Sequence, residues 1–344
     1  MRAAVVQTLP SLEPELADIV TPDPVAGELL VCVESCGICG TDLHILAGES
    51  YRPTLPFVLG HEGVGVVIAA GSPEDEHWIG QRVTTTLFEG AGGDCDLCRA
   101  GNGPCLSGNE RLCPTIRSVI GISQRNGAFA EFVAVRASLA IAVPDSLASP
   151  AAAALVDAGA TAVNTVEHAA PDPAAPLVVI GAGPVGFFVA ELLRRDGREF
   201  VVVEPRTGRR GAALSLGHRV VATIDEVDPS PLVIECSGAP DAISPALDLL
   251  LPRGLLVLAG YSIVPHMDLA PIARKELSIR GVRSGSTSHL QRALTLAADG
   301  QIRTPALSLW PLEQIGDALA ALRGGTVEGK AVITTPAYDD AVGD

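Results

Sequence analysis

Two hydrophobic patterns divide the chain. Over roughly the first 150 residues, apolar positions come in short runs, Leu29 to Val33, Gly63 to Ala69 and Phe129 to Val135, punctuated by Gly and Pro. That is the signature of strands joined by turns and predicts a mostly β domain. From Ser149 to Val166 the pattern becomes an Ala-rich helix, after which strands alternate with amphipathic helices. Leu177 to Ile180 is a continuous apolar run, the kind buried on both faces of a parallel sheet, and the helix Phe187 to Asp196 and the strand Phe200 to Val203 follow it. Further runs at Leu232 to Ile234 and Leu255 to Leu258 extend what should be one doubly wound sheet. The predicted class is α/β, with the boundary near Asp157 to Ala160.

Composition narrows the setting. The chain has 344 residues, 47% of them apolar and 19% charged, enough for two domains with sizeable cores. A formal charge of −16 argues against nucleic acid or an anionic membrane surface as partner. Met1 to Gln7 turns polar too soon for a secretory h-region, so the cytoplasm is the expected location. No apolar run reaches the ~20 residues of a membrane span. Of the eight cysteines, several are clustered, which in a cytosolic chain points to metal rather than disulfides.

Gly181-x-Gly183-x-x-Gly186, with Pro184 and Val185 inside it, lies between a predicted strand and a predicted helix. Its glycines permit a tight turn and let a pyrophosphate reach the helix N-terminus, which makes a dinucleotide the expected ligand. Glu204, 18 residues after Gly186, ends the second strand and is placed to accept from the adenosine ribose hydroxyls. A carboxylate there repels a 2′-phosphate and favours NAD over NADP. Arg206, Arg209 and Arg210 pull the other way, since arginines at this point can hold a 2′-phosphate, stack on adenine or simply be solvated.

The remaining chemistry sits in Cys36-Gly37-Ile38-Cys39-Gly40-Thr41-Asp42-Leu43-His44 and Gly60-His61-Glu62. Cys39 and His61 supply the thiolate and imidazole of a zinc site, and a later carboxylate would make a three-ligand site with one open position. Asp42 can accept the other N–H of a zinc-bound histidine, and Thr41 places a hydroxyl beside the open position. Gly60 and Gly63 allow a turn that aims His61 and Glu62 at one point, with Glu62 a transient fourth ligand. Cys32 and Cys36 lack such company and read as core.

Together, the segment Cys36 to His44, Gly60-His61-Glu62 and Gly181 to Gly186 resemble the zinc-dependent medium-chain alcohol and polyol dehydrogenases. The likeness extends to Glu235-Cys236-Ser237-Gly238, Lys275-Glu276-Leu277, Pro311-Leu312-Glu313 and Gly329-Lys330. It implies a GroES-like catalytic domain of residues 1–158 and 288–344 around a Rossmann domain of residues 159–287, with the helices Leu290 to Ala298 and Ile315 to Leu322 returning to the first. It also implies Asp157 as the third ligand of a catalytic zinc, beside Cys39 and His61. A second, structural zinc would need four thiolates. Here Gly92 stands where the family's first cysteine is usual and Cys105 comes one residue early, leaving Cys95, Cys98, Cys105 and Cys113 as a possible set, or a lobe without metal.

By the same resemblance, the substrate alcohol is activated as a zinc-bound alkoxide, hydride passes to NAD, and the proton leaves through Thr41, the cofactor ribose and His44. The implied substrate is a polar secondary alcohol, polyol or amino alcohol, and the implied assembly a homodimer or homotetramer. Two other readings compete: a zinc-free, NADPH-dependent quinone or enoyl reductase on the same fold, and a binding protein that has kept the scaffold without the activity. Intact Cys39, His61 and Asp157 oppose both.

Overall fold

The computed structural model describes residues 1–90, 92–101, 105, 108–169, 175–261 and 267–337. Along the chain the elements that matter here are β1 (Glu28–Gly37), α1 (Gly40–Leu46), β2 (Glu62–Ala70), β3 (Arg82–Thr85), β4 (Phe132–Arg136), β5 (Ala140–Ala142) and α2 (Ser149–Ala154). A π-helical turn, Leu155–Gly159, leads into α3 (Ala160–His168). Next come β6 (Leu177–Ile180), α4 (Pro184–Arg195), β7 (Phe200–Val203), β8 (Val220–Val221), β9 (Ser230–Glu235), β10 (Leu250–Leu258) and β11 (Ser278–Gly281). The chain finishes with α5 (Thr287–Ala298), β12 (Leu307–Pro311), α6 (Ile315–Gly324) and β13 (Lys330–Thr334).

These elements fall into two compact units: Met1–Asp157 with Ser286–Ala298 and Ala306–Asp344, and Ala158–Gly285 with Asp299–Pro305. In the first, a seven-stranded sheet runs β5-β3-β2-β1-β13-β12, with β4 also pairing β1. The ten-residue β1 is its spine, and two register shifts against β2 bring Gly37 opposite Glu62 and Cys36 opposite Gly63. On its other side Gly37 faces Val332 of β13. The two ends that carry the chemistry are therefore set side by side by strand pairing.

The second unit holds a six-stranded parallel sheet of order β8-β7-β6-β9-β10-β11. Its central strands are buried as their unbroken apolar sequence requires: Val178, Val201, Val233 and Leu256 form one core with Leu247 and Leu250. The helix α4 buries Phe188, Val189, Leu192 and Leu193. It starts at Pro184, three residues before the apolar pattern suggests, because proline at the first helical position costs no hydrogen bond. The expected helix Ser149 to Val166 is interrupted at Leu155–Gly159, and the apolar run Phe129 to Val135 enters the sheet only at Phe132. Phe129 instead bonds through its backbone to Leu59 and Ala4. Among the described residues, no helix is long and apolar enough to cross a membrane.

Candidate metal centre and nucleotide cavity

Cys39 is the N-cap of α1. Its sulfur accepts the backbone N–H of Thr41 at 3.3 Å, while its own N–H donates to Asp42 Oδ2 at 2.9 Å. This reciprocal cap fixes thiol and carboxylate relative to each other before any partner arrives. His61 follows Gly60, whose φ of +98° is open to glycine and where a Cβ would lie 2.7 Å from the backbone nitrogen of Phe129. The resulting turn puts His61 Nε2 3.1 Å from Cys39 Sγ and Nδ1 3.4 Å from Asp42 Oδ1, with the side chains of His61 and Asp42 fully buried. Gly63 serves differently from expectation: its backbone is ordinary strand, and its bare Cα accommodates Ala128, which a Cβ would approach to 2.6 Å.

Glu62 points into the same site and meets Lys330 of β13, whose Nζ donates to Oε1 at 2.7 Å and lies 2.6 Å from Oε2. Both side chains are all but inaccessible. Gly37 makes the room, since a Cβ there would sit 1.8 Å from Glu62 Oε2 and 3.0 Å from Lys330 Cε. Asp157, on the π-helical turn, completes the group. Cys39, His61, Glu62 and Asp157 each offer one ligand atom, all within 4.8 Å of one another.

Several features of this pocket fit a cation. Asp42 Oδ1, His61 Nδ1 and Glu62 Oε2 are buried without a hydrogen-bond partner of good geometry. Burial opposes protonation of His61, yet the Cys39 sulfur and the Asp42 carboxylate outweigh it and hold the imidazole well above its ordinary range. Burial raises the Glu62 carboxyl, and of its neighbours Lys330 and His61 oppose the rise while Asp157 adds to it. A mixed thiolate, imidazole and carboxylate donor set is the chemistry of a zinc site.

Thr41 and His44 lie on the same short helix. Thr41 is half-buried, and His44, 42% exposed at the side chain, keeps Nδ1 2.7 Å from Glu49 Oε2. Sequence reasoning gave no part to Lys330 as the partner of Glu62. The available signal was a lone lysine heading the apolar strand Lys330 to Ile333. In the cysteine lobe, Cys95, Cys98 and Cys113 are buried together and Cys105 packs against them. Cys95 shares hydrogen bonds with Cys98 and Cys113. Cys36 is buried and Cys32 half-buried.

The second unit encloses a cavity of about 560 Å³ at the carboxyl ends of its strands. Gly181, Gly183, Pro184, Val185, Glu204, Arg206 and Arg209 are among its lining residues. Gly181 has φ +96°, and a Cβ on Gly186 would fall 1.9 Å from the Gly181 carbonyl oxygen, so the turn closes only with both. Glu204 is buried; Oε2 accepts the Ala182 N–H at 2.8 Å and Oε1 the Arg206 N–H at 2.9 Å. Burial and the neighbouring Arg206 lower the basicity of Arg209, whose guanidinium lies 3.5 Å from where a Gly183 Cβ would be. Arg210 turns away to the carbonyls of Glu204 and Pro205.

Comparison with known proteins gives a consistent picture. Residues 25–145 match the family described as alcohol dehydrogenase GroES-like domain, and residues 184–299 match zinc-binding dehydrogenase. An alcohol dehydrogenase of Moraxella sp. (strain TAE123) is 31% identical over 350 residues, covering 97% of this chain and 99% of that protein. One from Geobacillus stearothermophilus is 28% identical, with 97% and 98% covered. Among solved structures, a cobalt- and zinc-bound thermostable alcohol dehydrogenase from Pyrobaculum aerophilum superposes with a TM-score of 0.86 at 27% identity, over 97% of this chain and 99% of that one.

Proposed function

Since the chain belongs to the zinc-type medium-chain alcohol dehydrogenases and is an NAD(P)-dependent enzyme of that family, we propose that it exchanges hydride between a polar secondary alcohol, polyol or amino alcohol and NAD at one catalytic zinc. The convergence of Cys39, His61, Glu62 and Asp157 ligand atoms within 4.8 Å carries this reading. Cys39, His61 and Asp157 would hold the ion, with Glu62 in reserve. When bound, zinc acts as a Lewis acid that lowers the pKa of a hydroxyl, and the nicotinamide accepts hydride.

The chain's own residues do the rest. Asp42 fixes His61 so that Nε2 faces Cys39. Lys330 holds Glu62 by its carboxylate, keeping it from taking the position a substrate needs. Thr41 lies two residues from the thiol, and the half-exposed His44 conducts the proton to solvent, oriented through Nδ1 by Glu49. In the other unit the glycine turn and the N-terminus of α4 receive the pyrophosphate, while Arg209 lends positive charge. Glu204, anchored by two backbone N–H groups, presents its remaining lone pairs to the adenosine ribose, which supports NAD over NADP. Cys95, Cys98, Cys105 and Cys113 are the candidate ligands of a second, structural zinc, a reading supported by the hydrogen bonds that draw three of them together.

The experiment is zinc analysis of protein purified without added metal, beside Cys39→Ser and Cys98→Ser. Two zincs, one lost in each variant, are expected, with turnover abolished by Cys39→Ser and NAD preferred to NADP. A single zinc lost only with Cys39 would empty the cysteine lobe, and none after reconstitution would favour the metal-free reductase. We also expect a homodimer or homotetramer, because β11 closes one side of the parallel sheet with all four residues exposed, Ile279 among them. Light scattering that reports a monomer would reject it.

A further inference from the structure

We propose that Glu235 is a positioning residue for the dinucleotide, holding the Ser237–Gly238 turn that backs the glycine-rich loop. The inference rests on the cofactor reading above and assigns work to a residue outside it. Glu235 is the last residue of β9, at the carboxyl edge of the sheet where ligands of such folds bind, and it is completely buried.

Its side chain turns back over the chain that follows. One oxygen, Oε1, accepts three donors: the Ser237 N–H at 2.6 Å, the Gly238 N–H at 3.0 Å and the Ser237 hydroxyl. The same hydroxyl accepts the Ala239 N–H at 3.1 Å. Its main-chain carbonyl accepts the N–H groups of Ala259 and Gly260, so the turn is also tied to the end of β10. An apolar side chain at 235 would leave the part-buried N–H groups of Ser237 and Gly238 without their acceptor.

The geometry carries this anchor to the ligand. Cys236, Ser237 and Ala239 line the nucleotide cavity with Gly181, Gly183 and Val185. A Cβ on Gly181 would come within 2.9 Å of Ser237 Cα, Cβ and N, so the fingerprint turn rests directly on the turn that Glu235 holds. Displacing Ser237 displaces the surface on which a pyrophosphate would sit. The other oxygen, Oε2, is buried with no partner, pressed against Gly260, where a Cβ would fall 2.4 Å away. Burial raises the carboxyl more than the three donors lower it. Any carbonyl oxygen placed where Oε1 stands would accept the same donors.

The test compares Glu235→Ala and Glu235→Gln in the full-length metal-loaded enzyme, using NADH fluorescence titration, adenosine as a competitor that lacks the phosphates, and ADP-ribose as one that crosses the glycine loop. Glu235→Ala should weaken NADH and ADP-ribose about tenfold, as expected for a sub-ångström misplacement, and adenosine by less than about twofold. The KM for NAD should rise while kcat at saturation changes little. Glu235→Gln, which retains a carbonyl at Oε1, should recover most of the loss. Equal weakening of all three ligands, or no weakening, would overturn the proposal. Should Glu235→Ala fail to fold, Ser237→Ala decides: it removes one of the three donors and must show the same selectivity in weaker form. A wild-type protein that binds no NADH would instead count against the cofactor reading itself.

Discussion

At Cys39 one sulfur takes part in two arrangements, capping α1 and approaching His61 at 3.1 Å. The cap is local, spanning four consecutive positions, so Cys39, Thr41 and Asp42, singled out in the sequence for their side-chain chemistry, also lie together in space. Lys330 and Glu62 are the opposite case, an ion pair between residues 268 positions apart, on the two strands that flank β1, meeting across it where Gly37 leaves space. No short-range pattern encodes it. Removing one member of a buried pair strands the other, so Lys330→Met should cost about 3 to 5 kcal/mol of unfolding free energy in a urea titration. The double variant Glu62→Gln, Lys330→Met should recover part of that loss, because two apolar or neutral groups tolerate burial better than one lone charge. A Lys330→Met protein as stable as wild type would mean that the pair contributes nothing net.

Helix α4 shows what an element gains from a contact its sequence does not announce. Its apolar stripe is periodic and was legible, though its start at Pro184 was not, whereas Glu191, within the stripe, stands out as a charge among apolar positions. The structure resolves it: the fully buried carboxylate accepts from Arg194, from the Arg303 side chain at 2.5 and 2.9 Å and from the Arg303 backbone N–H, with His218 Nε2 at 3.3 Å. This ties residues 299–305 to the second unit. Burial raises the Glu191 carboxyl, but these donors overcompensate and hold it far below the usual carboxylate range. Since its folded pKa lies below the unfolded value of about 4.3, the stabilisation is complete above roughly pH 5 and is lost as the pH falls. Glu191→Gln should thus be less stable than wild type by about 3 kcal/mol at pH 7, and the gap should narrow steadily as thermal melts are taken from pH 6 to pH 3. A gap independent of pH would show that shape, not charge, does the fastening. The π-helical turn at Leu155–Gly159 was illegible for a related reason: Ala-rich sequence fits an uninterrupted helix equally well, and only the surrounding unit decides where one extra residue enters the turn.

On the scale of the molecule, alternating apolar runs were enough to foresee a β-rich part and a doubly wound sheet, because each pattern permits few ways of burying its faces. The metal centre depends on more than those patterns. Its candidate ligands come from α1, from the start of β2 and from the turn after α2, so the site exists only when the first unit is folded. An ion that binds the folded but not the unfolded chain stabilises it by about 2.7 kcal/mol at a free concentration one hundred times its Kd. For a unit of this size that corresponds to roughly 5 to 10 °C in Tm. Stripping the protein with a chelator should therefore lower the melting temperature of the first unit and abolish turnover, and added zinc should restore both. Cys39→Ser should start near the chelated value and respond weakly to zinc at the catalytic site, while Cys98→Ser separates any share due to the cysteine lobe. If chelation removed activity and left every melting transition in place, the four side chains would have to be preformed by packing alone, with the buried Glu62–Lys330 pair and the cap at Cys39 holding the pocket open for the ion.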